Sequence, residues 1–269
     1  MPGVALLNYK GGVGKSTLTR ELAASLARQY RQRSLVIDMD PQANVSRRLG
    51  FRPAPGTAPP TLAAAIKEDR AGCAAEILTP CGWDDPLAQY IDLLPSSFDL
   101  ENRISEAGVV GAVMRLRKVM TGLGGHHWRF YDCAPSLGHL TQMALVAAGG
   151  EQQCGVVLVA EPEYDGVEGV VKAHEFVLGY REVLGVPHMK VYGIVINKNR
   201  DTDLHKSYIA EMQDRFGDLV WGPILPLRAT LADAQSSAVP LHSMPGGKKT
   251  DEMTGWFDQL TNLLVKAAA

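Results

Sequence analysis

Lys10-Gly11-Gly12-Val13-Gly14-Lys15-Ser16-Thr17 follows directly on the apolar run of residues 4–7 and leads into a segment of helical period. The glycines let successive backbone N–H groups turn toward one point without side-chain obstruction, and the N-terminus of the following helix adds partial positive charge there. Phosphate is the guest such a cradle suits. Lys15 is placed to reach the β- and γ-phosphates of a nucleotide, and the Ser16 hydroxyl to ligate Mg²⁺, an ion that takes few protein ligands. Gly11, Gly12, Val13, Gly14, Lys15, Ser16 and Thr17 are therefore the candidate nucleotide contacts. A glycine turn with incidental lysines is the alternative, and the placement between a strand and a helix argues against it.

Outward from this stretch, short β-rich runs alternate with longer segments of helical period, the pattern of βα units around a parallel sheet. Strands are expected at residues 4–7, 34–37, 91–94, 129–132, 155–160, 191–196 and 220–225, with the continuous apolar character of strands covered on both faces. Leu18, Leu22 and Leu26 recur at helical spacing and mark a face packed on the sheet. Helices are expected at 61–78 and 99–120, a surface loop at the proline-rich 52–60, and a second loop at 242–250. A last amphipathic helix carries Trp256, Phe257, Leu260, Leu263 and Leu264. The expected architecture is α/β: a mostly parallel twisted sheet flanked by helices on both faces, a P-loop NTPase in which residues 1–269 form a single ATPase domain.

Composition bounds the partners. The chain has 269 residues, with Lys and Arg numbering 27 against 29 Asp and Glu, a net charge of -2 that gives no global attraction to nucleic acid or anionic membrane. DNA binding would need a local basic patch. Cys73, Cys81, Cys133 and Cys154 stand far apart with no C-x-x-C pair, so neither a zinc site nor a thioredoxin-like motif is suggested, and a reduced cytoplasmic protein is expected. No apolar stretch approaches a membrane span, and the start of the chain leaves no room for a signal-peptide core.

Two further boxes supply carboxylates. The second expected strand ends in Asp38-Met39-Asp40-Pro41-Gln42. Strand alternation puts Asp38 and Asp40 on one side, and the carboxyl end of a parallel strand aims them at the ligand crevice. Each carboxylate could instead cap the next helix. A third strand ends in Tyr131-Asp132-Cys133-Ala134-Pro135-Ser136, where Asp132 has the position of a Walker B acid holding Mg²⁺ through water. Asn197, at the end of Ile194-Val195-Ile196-Asn197-Lys198, either contacts the adenine edge or caps a turn.

K-G-G-V-G-K-S-T resembles the deviant Walker A box of ParA/MinD ATPases, and D-M-D-P-Q resembles that family's D-x-D-P-Q box. The resemblance runs from about residue 4 to about residue 242 and is weakest between 51 and 90. It implies ATP and Mg²⁺ as cofactors, slow partner-stimulated hydrolysis, and an ATP-sandwich homodimer in which Lys10 crosses to the nucleotide of the partner subunit. It further implies that Asp40 orients the attacking water, that Asp38 supports the magnesium shell, and that Pro226 shares the base pocket with Asn197. Ile91-Asp92-Leu93-Leu94-Pro95-Ser96-Ser97 and Glu161-Pro162-Glu163-Tyr164 are similar to the ParA branch rather than the membrane-bound MinD branch. The acidic residues Asp251, Glu252 and Asp258 in the last helix also speak against a lipid-binding tail, so no membrane partner is expected.

The ParA branch implies DNA partition: non-specific double-stranded DNA as partner, a ParB-like centromere-binding or adaptor protein as stimulator, and association with the nucleoid. A protein cargo with little DNA dependence is the alternative. Family DNA-contacting arginines fall here on Leu227 and Thr230, leaving Arg228, with Arg200, Lys198 and Lys206 as candidates to complete a basic stripe interrupted by Asp201 and Asp203. The operator-binding domain of larger ParA proteins is not expected before the first strand. Iron–sulfur relatives on the same scaffold need cysteines facing a two-fold axis; Cys133 and Cys154 are the candidates here, and that role is not expected.

Overall fold

The computed structural model describes residues 1–54 and 56–269; Pro55, within the expected loop at 52–60, lies outside the described residues. The strands are β1 (Pro2–Leu7), β2 (Ser34–Met39), β3 (Thr79–Pro80), β4 (Ile91–Leu94), β5 (Trp128–Cys133), β6 (Gln153–Ala160), β7 (Lys190–Ile196) and β8 (Val220–Trp221). The helices are α1 (Lys15–Tyr30), α2 (Asn44–Arg48), α3 (Leu62–Glu68), α4 (Arg115–Val119), α5 (His139–Ala148), α6 (Tyr164–Tyr180), α7 (Asp203–Phe216), α8 (Ala229–Ser237) and α9 (Lys248–Ala267). One sheet, in the order β3-β4-β2-β5-β1-β6-β7-β8, is parallel except where β3 meets β4.

Alternation along β1 divides the core. Val4 and Leu6 pack with Leu18, Leu22 and Leu26 of α1 and with Met253, Phe257, Leu260 and Leu264 of α9, whereas Ala5 and Leu7 face α5, α6 and α7 on the other side. Both faces of the sheet are thus covered, which is why its strands read as unbroken apolar runs. The face of α9 that amphipathicity marks is committed to α1. Asp258 reinforces that seam by accepting from Ser25 and Arg28, and Tyr30 donates to Asn262 at 2.6 Å. No helix among the described residues is long and apolar enough to cross a membrane.

β1 lies between β5 and β6, and the chain leaves it toward β2 on one side while its later strands continue on the other. That reversal opens a crevice at the carboxyl ends of the strands, the place where open α/β sheets take ligands. The phosphate-loop sequence begins there.

Several expected elements are corrected. The helix expected at 61–78 is α3 followed by a 3₁₀ turn at Cys73–Ile77, because Asp69 and Gly72 adopt left-handed backbone and end the first helix. The helix expected at 99–120 is a 3₁₀ segment at Phe98–Gly108, a short turn at Ala112–Met114, and then α4. Val109 and Val110 favour extended backbone and Gly111 has a φ of 78°, so the helical path breaks there. The strand expected at 220–225 stops at Trp221, before Gly222-Pro223. The loop expected at 242–250 is shorter, since α9 starts at Lys248. β3 had no apolar signal to reveal it.

Leu260 is fully buried where α9 meets the sheet. Leu260→Ala should lower unfolding free energy by about 2–5 kcal/mol in a urea titration; an unchanged midpoint would show that α9 is not part of this core.

Candidate nucleotide site

Gly14 has a φ of 105° and caps the N-terminus of α1, so the loop enters the helix through a backbone conformation that a side chain resists. A second constraint acts at the same point. A β-carbon on Gly14 would overlap the amide nitrogen of Asn197, which sits at the end of β7 and donates to the Val13 carbonyl at 2.8 Å. Asn197 itself is fixed by its backbone N–H on the Ala160 carbonyl at 2.8 Å. The amide donor of Asn197 therefore holds the loop. On the other side Asn8, buried, donates to the Val159 carbonyl at 2.7 Å and accepts from the Lys10 N–H at 2.6 Å. Sequence reasoning missed Asn8; an amide closing an apolar strand just before the glycines was its signal.

The loop borders a cavity of about 280 Å³ lined by Gly12, Gly14, Lys15, Ser16, Thr17, Asp40, Asn44, Arg48, Pro135, Asn197, Lys198, Pro226, Leu227, Arg228, Leu231, Ala232 and Gln235. Of the expected cradle residues, Val13 is a core residue, wholly buried on the α1 side, and contributes its backbone alone. Gly11 packs beside Pro135. Thr17 accepts from Gln235 of α8 at 2.9 Å, which ties the far wall of the cavity to the loop. α8 is also joined to α1 by the buried Arg20, which donates to the Ala234 carbonyl at 3.1 Å and pairs with Glu21. Gln235, Arg20 and the α2 residues Asn44 and Arg48 carried no motif and were not anticipated.

The Lys15 ammonium lies near the Asn8 and Lys10 carbonyls, at 3.5 and 3.4 Å, inside the ring of the loop. Burial lowers its pKa, while the carboxylates of Asp132 and Asp40 oppose that shift. The charge waits beside the space a phosphate would fill.

Asp38 and Asp132 are register partners on β2 and β5 and are both fully buried. Their surroundings differ. Asp38 accepts from the Asp40 N–H at 3.1 Å, the Ser46 N–H at 3.0 Å and the Ser46 hydroxyl at 2.6 Å, so it fastens the Asp40 turn and α2 to the strand. Asp132 accepts from the Thr19 hydroxyl at 3.3 Å through Oδ1, while its Oδ2 is buried without a hydrogen-bond partner among the described residues. Burial raises both pKa values; Asp132 adds to the rise at Asp38, whereas the Ser16 hydroxyl and the Lys15 ammonium restrain it at Asp132. An orphaned carboxylate oxygen beside a serine hydroxyl and a phosphate loop suits a hard cation with few protein ligands. Among the described residues no group of three His, Cys, Asp or Glu could enclose an ion, so such a cation would draw further ligands from the nucleotide and water. Asp40 lines the cavity with Oδ1 accepting from the Gln42 N–H at 2.9 Å.

Lys10 does not line the cavity. Its ammonium pairs with Glu163 at 3.0 Å and Glu161 at 3.6 Å. The Glu161-Pro162-Glu163 turn after β6 brings these two carboxylates to it within the chain. Partial burial works against the Lys10 charge, but Glu163 and Glu161 outweigh it and raise the pKa.

The basic stripe expected for DNA is divided. Lys198 pairs with Glu161 at 2.5 Å and donates to the Gly12 carbonyl at 2.5 Å, at the rim of the cavity. Arg200 lies 3.8 Å from Glu163, and Lys206 pairs with Asp201 at 3.4 Å. Arg228 makes no ion pair among the described residues, and it lines the cavity. Cys73, Cys81, Cys133 and Cys154 are free and buried, with burial pushing their thiol pKa values up, so none is presented at the surface.

The profile of the CobQ/CobB/MinD/ParA nucleotide binding domain matches residues 4–241. The chain belongs to this family. Two relatives are a chromosome partitioning protein ParA of Myxococcus xanthus, 30% identical over 241 residues that cover 88% of this chain and 80% of that protein, and the chromosome-partitioning ATPase Soj of Thermus thermophilus, 32% identical over 234 residues that cover 87% and 84%. The fold is similar to that of a Cyanothece McdA variant solved with ATP, at a TM-score of 0.82 and 20% identity over 98% of this chain and 96% of that one. It is also similar to cobyrinic acid a,c-diamide synthase of Mycobacterium smegmatis solved with an ATP analogue and magnesium, at a TM-score of 0.77 and 23% identity over 99% and 94%. In this CobQ/CobB/MinD/ParA chain the matched span runs from the first residues of β1 to just beyond α8, and so contains every residue named above as lining the cavity.

Gly14→Ala should weaken binding of a fluorescent ATP analogue by more than about tenfold, because a β-carbon in left-handed backbone alone costs roughly 1–2 kcal/mol and here also displaces Asn197. Wild-type affinity in this variant would mean that the loop is not held as described.

Proposed function

We propose that the chain is a Mg²⁺-dependent ATPase that works as an ATP-sandwich homodimer to partition or position DNA, with nucleotide-switched, non-specific binding of double-stranded DNA. The observation that carries the reading is 30–32% identity, over nearly nine-tenths of the chain, to two proteins named for chromosome partitioning. A ParB-like adaptor as stimulator and residence on the nucleoid belong to the same proposal.

The chain's own residues divide the work. Backbone N–H groups of residues 11–17 receive the phosphates, and the Lys15 ammonium moves from the loop carbonyls onto them. Magnesium, held by Ser16 and through water by Asp132, would neutralise phosphate charge. Asp40, braced by its hydrogen bond to Gln42 and by Asp38 behind it, holds a water in line with the terminal phosphate. Asn197 and Pro226 form the base-side wall. Lys10 stands outside its own cavity at a partly exposed site. From there its charge serves the nucleotide of a second copy, once that phosphate charge outcompetes Glu161 and Glu163.

The local ion pairs of Lys198, Arg200 and Lys206 favour a second reading, in which the same switch acts on a protein cargo. DNA phosphates would have to displace carboxylates already in place, and of the four candidates Arg228 alone escapes that competition.

Sedimentation and DNA retention with ATP, ADP or no nucleotide test both readings. Wild type should form a dimer with ATP alone, and Asp40→Ala should hold that dimer while losing turnover by about a hundredfold or more, the scale of removing a group that positions a reactant. Lys10→Ala should bind ATP as a monomer. The ATP dimer should bind unrelated duplexes with salt-sensitive affinity, and Arg228→Glu should weaken all of them alike. Dimerisation without any DNA retention at low salt would reject partitioning in favour of the protein-cargo reading; wild-type turnover in Asp40→Ala would reject the water-positioning role.

A further inference from the structure

We propose that Arg48 is a phosphate-binding residue of the nucleotide site, its guanidinium closing on the β- and γ-phosphate oxygens of a bound nucleoside triphosphate from α2, opposite the glycine loop. The inference rests on the nucleotide reading above and extends it to a residue that no motif assigns.

Arg48 lines the same cavity as Lys15, Ser16 and Asp40, yet it stands on a different element. Its backbone is fixed from three sides. Ser46 is bound to Asp38, the Arg48 carbonyl accepts from the Trp83 indole at 2.8 Å, and Leu49 is wholly buried in the core. The side chain is half-buried, and its guanidinium makes no hydrogen bond or ion pair among the described residues. The guanidinium is thus left open to an acceptor from the cavity, and a planar fork of this kind matches phosphate oxygens two at a time.

The charges around it sharpen the need for an anion. Burial lowers the pKa of Arg48, the carboxylates of Asp132 and Asp38 work against that, and the guanidinium groups of Arg20 and Arg47 reinforce it. Asp132 acts on it more strongly than any other charged group, and the cavity that Arg48 lines is the one bordered by Lys15 and Ser16. An adjoining groove shares Asn44, Arg48, Ala232 and Gln235 with the cavity and carries Arg47 and Arg52 with no carboxylate in its lining. Among the described residues the positive charge of that groove is thus not balanced within its own lining, which favours an anion there. Because α2 hangs on Asp38, which also fixes the Asp40 turn, a phosphate that draws Arg48 inward pulls on the segment that positions Asp40.

The test is titration of the full chain with Mg²⁺ and fluorescent ATP, ADP and AMP. Arg48→Gln should weaken ATP by at least about tenfold, the scale of one charge-assisted bidentate contact, with a smaller loss for ADP and none for AMP. Arg48→Lys should recover part of the loss, and the nucleotide-free Arg48→Gln protein should melt no lower than wild type, since it loses a half-buried charge that has no ion-pair partner among the described residues. Unchanged ATP affinity in Arg48→Gln, beside a wild type that binds, would overturn the assignment of Arg48 alone. Equal losses for all three nucleotides would overturn it too, by showing a general disturbance of the cavity. A wild type that binds no nucleotide would overturn both this inference and the function on which it rests.

Discussion

The hydrogen bond from the Asn197 amide to the Val13 carbonyl, in the space left by the missing side chain of Gly14, fastens the glycine loop to the end of β7. An anion cradle works through donors that already converge, since reorienting a free loop would consume the binding energy that convergence provides. The loop has little secondary structure of its own to hold it. Its shape is borrowed from β6 and β7 on one side through Asn197, and from β6 and α6 through Asn8 on the other. The sheet order that seats β1 between β5 and β6 is what brings those anchors within reach.

Within the chain itself, the charges around the cavity are left incomplete in a consistent way. The buried Asp132 has an oxygen without a donor among the described residues, and the half-buried Arg48 guanidinium makes no hydrogen bond or ion pair among them. Lys15 lies against carbonyls at long distance. Each deficiency is the complement of one part of a magnesium–nucleotide complex: cation for Asp132, phosphate for Arg48 and Lys15. Lys10 is the contrast, since its charge is already matched by Glu161 and Glu163. A group that is satisfied at rest must exchange partners to act.

The phosphate loop, both carboxylate boxes and the parallel sheet were legible in the sequence because each depends on a short, local pattern. Glycines free a turn, apolar runs fill a two-sided sheet, and an acid at the end of a strand lies near the crevice, although among Asp38, Asp40 and Asp132 only Asp40 lines the cavity, while Asp38 turns onto Ser46. What was not legible depends on contacts between segments far apart in the chain. The pairing of Lys10 with a turn some 150 residues later is of this kind, as is the lock between Gln235 and Thr17. Asn197 reads in sequence as base contact or turn cap, and the geometry shows its amide donor used on the loop itself. The region at 99–120 failed for a different reason. Its helical spacing is real, but Val109-Val110-Gly111 breaks the backbone path, and local conformation overrides periodicity there.

Calorimetric titration of the chain with ATP, with magnesium and with a chelator in its place, tests the central claim that this cavity is a preformed magnesium–nucleotide site. One ATP should bind per chain, the affinity should drop sharply when magnesium is withdrawn, and Lys15→Ala should abolish the heat. Magnesium-independent binding, or binding that survives unchanged in Lys15→Ala, would contradict the account.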